Sequence, residues 1–466
     1  MILFKKTNLL ILLVGFLVIS CKRNDNTSIT LNGQIKGISA KELYLGSYYL
    51  AVPDTITVDK AGGFEKKLPI KTAGFFSLRY KNQEDRFVVY LEPGKKSHIA
   101  LDAENNKVTV TGDLAEENKL YEELKIGNDS LSKQFETQYA KLDEAAFLSK
   151  MKAFEDSQNK LINTFSKNKK LNPDFLALLH QDVFYTSLEW KQHYPFYHTP
   201  PDVEVDVDKL KDYYAALDKG IKEDTALLKL SSYREAINRK INIDLSRKAN
   251  KDKDKELDPD LRYINAIKTN IKSPQIQAGV SYDFVSALLS MVKDKSKMLE
   301  IYKSFGIKDG KLKELERLYA DLKKTDPGNA APAFSYKDID GKAHSLADFK
   351  GKVVYIDVWA TWCSPCKDEI PHLKKLEQDF AGKNIEFISI SLDKDLEKWK
   401  TYVTKNHLEG VQLHADGEFD SKIAKDYQIR GIPRFILIGK DGKIINSTVE
   451  RPSDKKIKEI LDKALV

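Results

Sequence analysis

Residues 353–360 read Val-Val-Tyr-Ile-Asp-Val-Trp-Ala, almost continuously apolar, and lead into Thr361-Trp362-Cys363-Ser364-Pro365-Cys366-Lys367. Such a run suits a central strand buried on both faces of a sheet. Pro365 is tolerated in the first turn of a helix and stiffens it. Two cysteines therefore fall where a buried strand hands over to a helix. Unpaired backbone N–H groups and the helix dipole favour negative charge there, so Cys363 is expected to supply an attacking thiolate. Cys366, one turn further in, is expected to be the more buried thiol and to attack a mixed disulfide. The pair reads as a dithiol exchange centre. A structural zinc would need four ligands, and no second CxxC or CxxH is present.

The only other cysteine among 466 residues is Cys21, so no disulfide framework is available elsewhere. Lys5 and Lys6 precede an apolar run over residues 9–19, interrupted by Gly15. That run is shorter than the about 20 residues a bilayer span requires and fits the core of a secretory signal peptide. Val18-Ile19-Ser20-Cys21 resembles a lipobox. Residues 1–20 are thus expected to be removed, and Cys21 to carry lipid at the head of a polar tether, residues 21–28. The compartment would be a bacterial envelope, periplasm-facing or at the cell surface. Lys22 at the second position weakly disfavours retention at an inner membrane.

Length alone suggests about three domains. Basic and acidic residues, 76 and 69, are interspersed and leave a net charge of +7 without a basic block, which describes a solvated surface and not a nucleic-acid site. Residues 29–112 show short alternating segments, with a hairpin-type turn at Gly62-Gly63, and are expected to form a small all-β sandwich. Residues 113–325 change to amphipathic helical patterns, over 135–148, 175–190, 210–230, 284–305 and 312–322, with breaks at Pro195, at Pro200-Pro201 and in the charged run 251–258. His193 and His198 flank Tyr194-Pro195-Phe196-Tyr197. Further metal ligands are lacking nearby, so a packed or half-exposed loop is expected. Asp326-Pro327-Gly328-Asn329 reads as a linker. Strands and helices then alternate to a hairpin through Asp441-Gly442 and a last helix over 457–465.

Trp359-Ala360-Thr361-Trp362-Cys363-Ser364-Pro365-Cys366-Lys367-Asp368-Glu369-Ile370-Pro371, with Tyr427-Gln428-Ile429-Arg430-Gly431-Ile432-Pro433, resembles the TlpA/ResA branch of the thioredoxin superfamily. That branch also includes cytochrome c maturation reductases. The likeness covers residues 326–466 and implies a thioredoxin fold of α/β class. It also implies a cis Pro433 facing the redox pair, leaving the backbone of Ile432 free to pair with a substrate beside Trp362. Asp357 resembles the buried acid of thioredoxins, and Glu369 the active-site glutamate of ResA-like proteins. Either carboxylate could manage the proton of Cys366. The motif Asp54-Thr55-Ile56-Thr57-Val58 with Gly63-Phe64 resembles a small all-β domain that precedes such modules in envelope lipoproteins.

The resemblance implies a thiol-disulfide oxidoreductase that reduces protein disulfides in the envelope. It would be recharged by a membrane electron donor of the DsbD/CcdA type and need no cofactor or metal. Three other readings stay open. One is a disulfide oxidase or isomerase. Another is a thiol peroxidase, although no arginine accompanies Cys363 in its strand and helix. The third is an envelope binding lipoprotein to which the redox domain is an accessory.

Overall fold

The computed structural model describes residues 28–37, 41–51, 53–80, 87–167, 169–199, 205–249, 259–292 and 294–466. The signal peptide, Cys21 and nearly all of the tether, Pro200-Pro201 and the charged run 251–258 lie outside the described residues. The chain divides into two compact units: residues up to Ser47 with Thr55–Lys119, and Tyr48–Asp54 with Leu120–Val466. The helical segment and the C-terminal α/β layer therefore share the second unit, where the sequence suggested separate domains.

The first unit carries two four-stranded sheets. One holds β1 (Ile29–Lys36), β4 (Gly63–Leu68), β7 (Ser97–Asp102) and β8 (Lys107–Gly112) in the order β4-β1-β7-β8. The other holds β2 (Glu42–Ser47), β3 (Asp54–Thr57), β5 (Gly74–Tyr80) and β6 (Phe87–Leu91) in the order β3-β2-β5-β6. Ile29, Leu31 and Ile35 of β1 point inward and Thr30, Gln34 and Lys36 outward, the period of a half-buried strand. A Cβ on Gly33 would lie 2.1 Å from the Ile99 carbonyl oxygen, so the parallel pairing of β1 with β7 needs glycine there.

The helices are α1 (Ala115–Thr137), α2 (Glu144–Ser166), α3 (Pro173–His198), α4 (Lys211–Asp218), α5 (Ser231–Ala249), α6 (Pro259–Asn270), α7 (Pro274–Leu288), α8 (Lys295–Lys303) and α9 (Gly310–Leu322). Three of the helical patterns read from the sequence are broken. Asp143 caps α2, Asp224 caps the 3-10 turn Thr225–Lys229, and Asp294 caps α8, each accepting from a backbone N–H two or three residues on. Conversely, the expected break at Pro195 is absent, because α3 runs through it to His198. A proline leaves the carbonyl four residues earlier without its helical donor. Here the Tyr213 hydroxyl of α4 donates to that Lys191 carbonyl at 2.7 Å. His193 and His198 accordingly sit on a helix and not on a loop. The Arg239 guanidinium donates to Nε2 of His193 at 2.7 Å, and burial with that neighbouring charge lowers the His193 pKa to about 4.

The C-terminal sheet has seven strands in the order β10-β9-β13-β12-β11-β14-β15. They are β9 (Ser335–Asp338), β10 (Ala343–Ser345), β11 (Val353–Trp359), β12 (Ile385–Ser391), β13 (Val411–His414), β14 (Arg434–Ile438) and β15 (Ile444–Asn446). Four helices accompany them: α10 (Ser364–Asp379), α11 (Leu396–Lys405), α12 (Lys422–Asp426) and α13 (Ile457–Leu465). This is a thioredoxin-like α/β layer. β11 lies between parallel β12 and antiparallel β14, and all seven of its residues are buried. Val353 and Tyr355 pack with Leu373 and Leu376 of α10 and with Ile457 and Leu461 of α13. Val354, Ile356 and Val358 face the opposite cluster, with Phe349 and Ile423. The period of two thus sends Asp357 to the α10 face.

Candidate active site

The turn from β11 into α10 is tied down before the cysteines begin. Asp393, 2% exposed just beyond β12, accepts from the Thr361 backbone N–H at 2.9 Å and from the Thr361 hydroxyl at 2.6 Å. The Ser391 hydroxyl donates to the same carboxylate at 2.7 Å. A buried carboxylate with three donors is a satisfied one, and it fixes the chain two residues ahead of Cys363. Sequence reasoning missed Asp393. Its only local signal is an acid closing the apolar strand Ile385–Ser391.

Cys363 is the N-cap of α10, and its Sγ accepts from the Cys366 backbone N–H at 3.2 Å. The sulfur therefore sits against the unpaired amides at the positive end of the helix. Cys363 and Cys366 form a disulfide of 1.95 Å with Cα atoms 5.3 Å apart. The two differ little in burial, 5% and 3% exposed, while Ser364 and Pro365 between them are open to solvent. Trp362 is 50% exposed, and its ring lies 6.2 Å from that of Phe419. The Ile432–Pro433 peptide is cis. Ile432 packs on the cluster that contains both cysteines, Trp359 and Trp399. The structure thus brings together Cys363, Cys366 and Ile432 of the expected site.

The two expected carboxylates occupy different surroundings. Asp357 lines a crevice of about 10 Å³ between β11, α10 and β13, with Leu373, Glu377, Ser389, Glu409 and Gln412 among the walls. That is the room of about one water molecule. Burial, with the negative charges of Glu369 and Glu377, pushes the pKa of Asp357 up to about 8. Glu377, a residue not read as functional, is pushed up to about 7 by burial and by Glu409, against the pull of Lys374. Two buried polar atoms of the crevice residues, Nε1 of Trp359 and Oε1 of Gln412, have no protein partner. A donor and an acceptor left over beside a water-sized space suit a bound water.

Glu369, only 6% exposed, accepts from the Ser453 backbone N–H and hydroxyl, both at 2.9 Å, and from Arg451 at 3.4 Å. It anchors α10 to the loop before α13, and its charge reaches Asp357. Among the described residues no group of three or more His, Cys, Asp or Glu is placed to hold a metal ion.

Residues 326–465 match the family described as Redoxin, and residues 29–121 match a domain of unknown function, DUF4369. The thiol-disulfide oxidoreductase ResA of Bacillus cereus (strain ATCC 10987 / NRS 248) is 34% identical over 146 residues, 31% of this chain and 82% of the relative. ResA of Bacillus thuringiensis subsp. konkukian (strain 97-27) is 34% identical over 141 residues, 30% of this chain and 79% of that protein. Among solved structures, the thioredoxin domain of a thiol-disulfide oxidoreductase from Bacteroides vulgatus is 31% identical, covers 30% of this chain and 98% of that one, and has a TM-score of 0.28.

Proposed function

The chain belongs to the ResA family of thiol-disulfide oxidoreductases, and from that premise we propose that it reduces protein disulfides on the outer side of a bacterial membrane. The observation that carries this reading is the capped sulfur of Cys363 at the N-terminus of α10, beside Cys366. In the reduced chain the Cys363 thiolate attacks one sulfur of a substrate disulfide. A mixed disulfide forms, and the other substrate sulfur leaves as a thiolate. Cys366 loses its proton and attacks the Cys363 sulfur. The Cys363–Cys366 bond forms, the second substrate thiolate leaves, and two electrons have passed from enzyme to substrate.

Asp357, on the α10 face of β11, accepts the Cys366 proton, and Glu369 sets the charge around it. The substrate segment pairs with the backbone of Ile432 at cis Pro433 and rests against Trp362. A dithiol donor in the membrane, of the DsbD/CcdA type, returns the electrons.

The reduction potential of the Cys363–Cys366 couple tests the direction. A value near or below the about −270 mV of thioredoxin is expected. A value near the about −120 mV of DsbA would make the protein an oxidant instead.

The residue pattern from Lys5 to Cys21 supports export and a lipid anchor on Cys21. Radiolabelled palmitate should enter the parent chain and not Cys21→Ser, and equal labelling of both would remove the anchor. No helix among the described residues is long and apolar enough to cross a membrane.

A further inference from the structure

Two arginines flanking the cis proline reach into the helical part of the same unit. Arg434, 4% exposed, directly follows Pro433, and its Nη1 donates to the Ser290 carbonyl at 2.6 Å and to the Ser447 carbonyl at 3.3 Å. Nη1 of Arg430 donates to the Ser286 hydroxyl at 3.1 Å, and Nη2 lies 3.9 Å from Glu314 of α9. A buried guanidinium is costly unless it is hydrogen-bonded, so the Ser290 contact fixes the end of α7 against the proline loop. The next residue, Met291, is 39% exposed. A Cβ built on Gly431 would stand 3.6 Å from its Sδ. An exposed thioether therefore lies directly beside Gly431-Ile432-Pro433, and it comes from outside the thioredoxin-like layer.

We propose that Met291 is a specificity residue of the redox site, receiving an apolar side chain that flanks the cysteine of an extended polypeptide docked along Ile432. This rests on the dithiol-exchange reading above. The occupant must bring a disulfide to Cys363, and an extended chain paired with the backbone at 432 presents its side chains alternately to one face. Methionine is unbranched and polarizable, and adapts to aliphatic and aromatic partners alike. Trp362 and Phe419, 50% and 39% exposed, extend the apolar surface next to Cys363. The favoured substrate is thus a polypeptide disulfide with Leu, Ile or Phe beside the cysteine.

The full-length chain in detergent, reduced beforehand, is offered two disulfide-bonded peptides that differ only in carrying Leu or Glu beside each cysteine. It is also offered 5,5′-dithiobis(2-nitrobenzoate), which has no flanking side chain. Met291→Glu should lower the second-order rate constant for the single-turnover reduction of the Leu peptide about tenfold and erase the preference over the Glu peptide. Met291→Leu should restore both. Ile126→Glu, at a 69% exposed apolar position on α1, should move neither. If Met291→Glu leaves the ratio between the peptides at its parent value while all three disulfides are still reduced, the inference falls. A parent chain inert towards all three would overturn the dithiol-exchange reading, and this inference with it.

Discussion

Replacing Asp357 by asparagine should give a chain that is harder to unfold at pH 8 than its parent, yet about 100-fold slower in resolving a mixed disulfide. The native carboxyl keeps its proton up to about pH 8 because it is buried and faces Glu369 and Glu377. In the unfolded chain it loses the proton near pH 4. Between those values the native state holds more protons, so stability falls as pH rises. At pH 7 the cost is on the order of 4 kcal/mol. Asparagine carries no such slope, so the gap between variant and parent should open from pH 4 and level off above pH 8. Denaturant melts from pH 5 to 9 measure it, and parallel curves would sink the assignment of Asp357 as a buried acid. The same burial makes Asp357 a proton acceptor only as pH rises through about 8, so resolution should speed up across that range and the variant should lose this dependence. Glu369→Gln keeps an oxygen for Ser453 but removes one negative neighbour. It should therefore shift the midpoint of that dependence to lower pH, where Asp357→Asn abolishes it.

Cys366→Ser should stop turnover after one half-reaction. Cys363 can still attack a protein disulfide, but nothing within the chain can displace the product, so a covalent complex accumulates towards one substrate per chain. Cys363→Ser should give neither turnover nor complex. Intact mass under non-reducing conditions separates the two, because only Cys366→Ser should gain the mass of the substrate. Equal capture by both variants would mean that either sulfur accepts substrate. Their similar burial, 5% and 3% exposed, makes that a question of chemistry and not of access alone. The difference rests on Cys363 being the N-cap, where its sulfur meets the Cys366 amide.

What was readable in the sequence follows from what each residue depends on. The strand over 353–359 declares itself because burial on both faces removes the alternation that would otherwise make short strands ambiguous. The cysteine pair declares itself because its function needs only three residues of helix. The middle helices were overrun at residues 143, 224 and 294 because apolar periodicity continued across the joints. The caps there, each an aspartate, were the available stop signals. At Pro195 the error ran the other way, since the donor that rescues the helix comes from Tyr213, in a different helix. Asp393 and Met291 were invisible for a single reason. Their significance is a contact made across 32 residues in one case and between a helix end and a distant loop in the other. Asp357 was legible as a polar residue in apolar company, whereas Glu377 looked like any acid on a helix.

The buried Arg434 also bears on inheritance. Thioredoxin folds are often pictured as cassettes that recombine freely with whatever precedes them. Here the residue after the cis proline donates a hydrogen bond to the Ser290 carbonyl, on the far side of any such splice. A recombination event at the linker 326–329 would separate a buried cation from the nearer of its two carbonyl partners. The two segments are therefore bound to a shared descent, and lineages that keep arginine at this position are expected to keep the end of α7 as well.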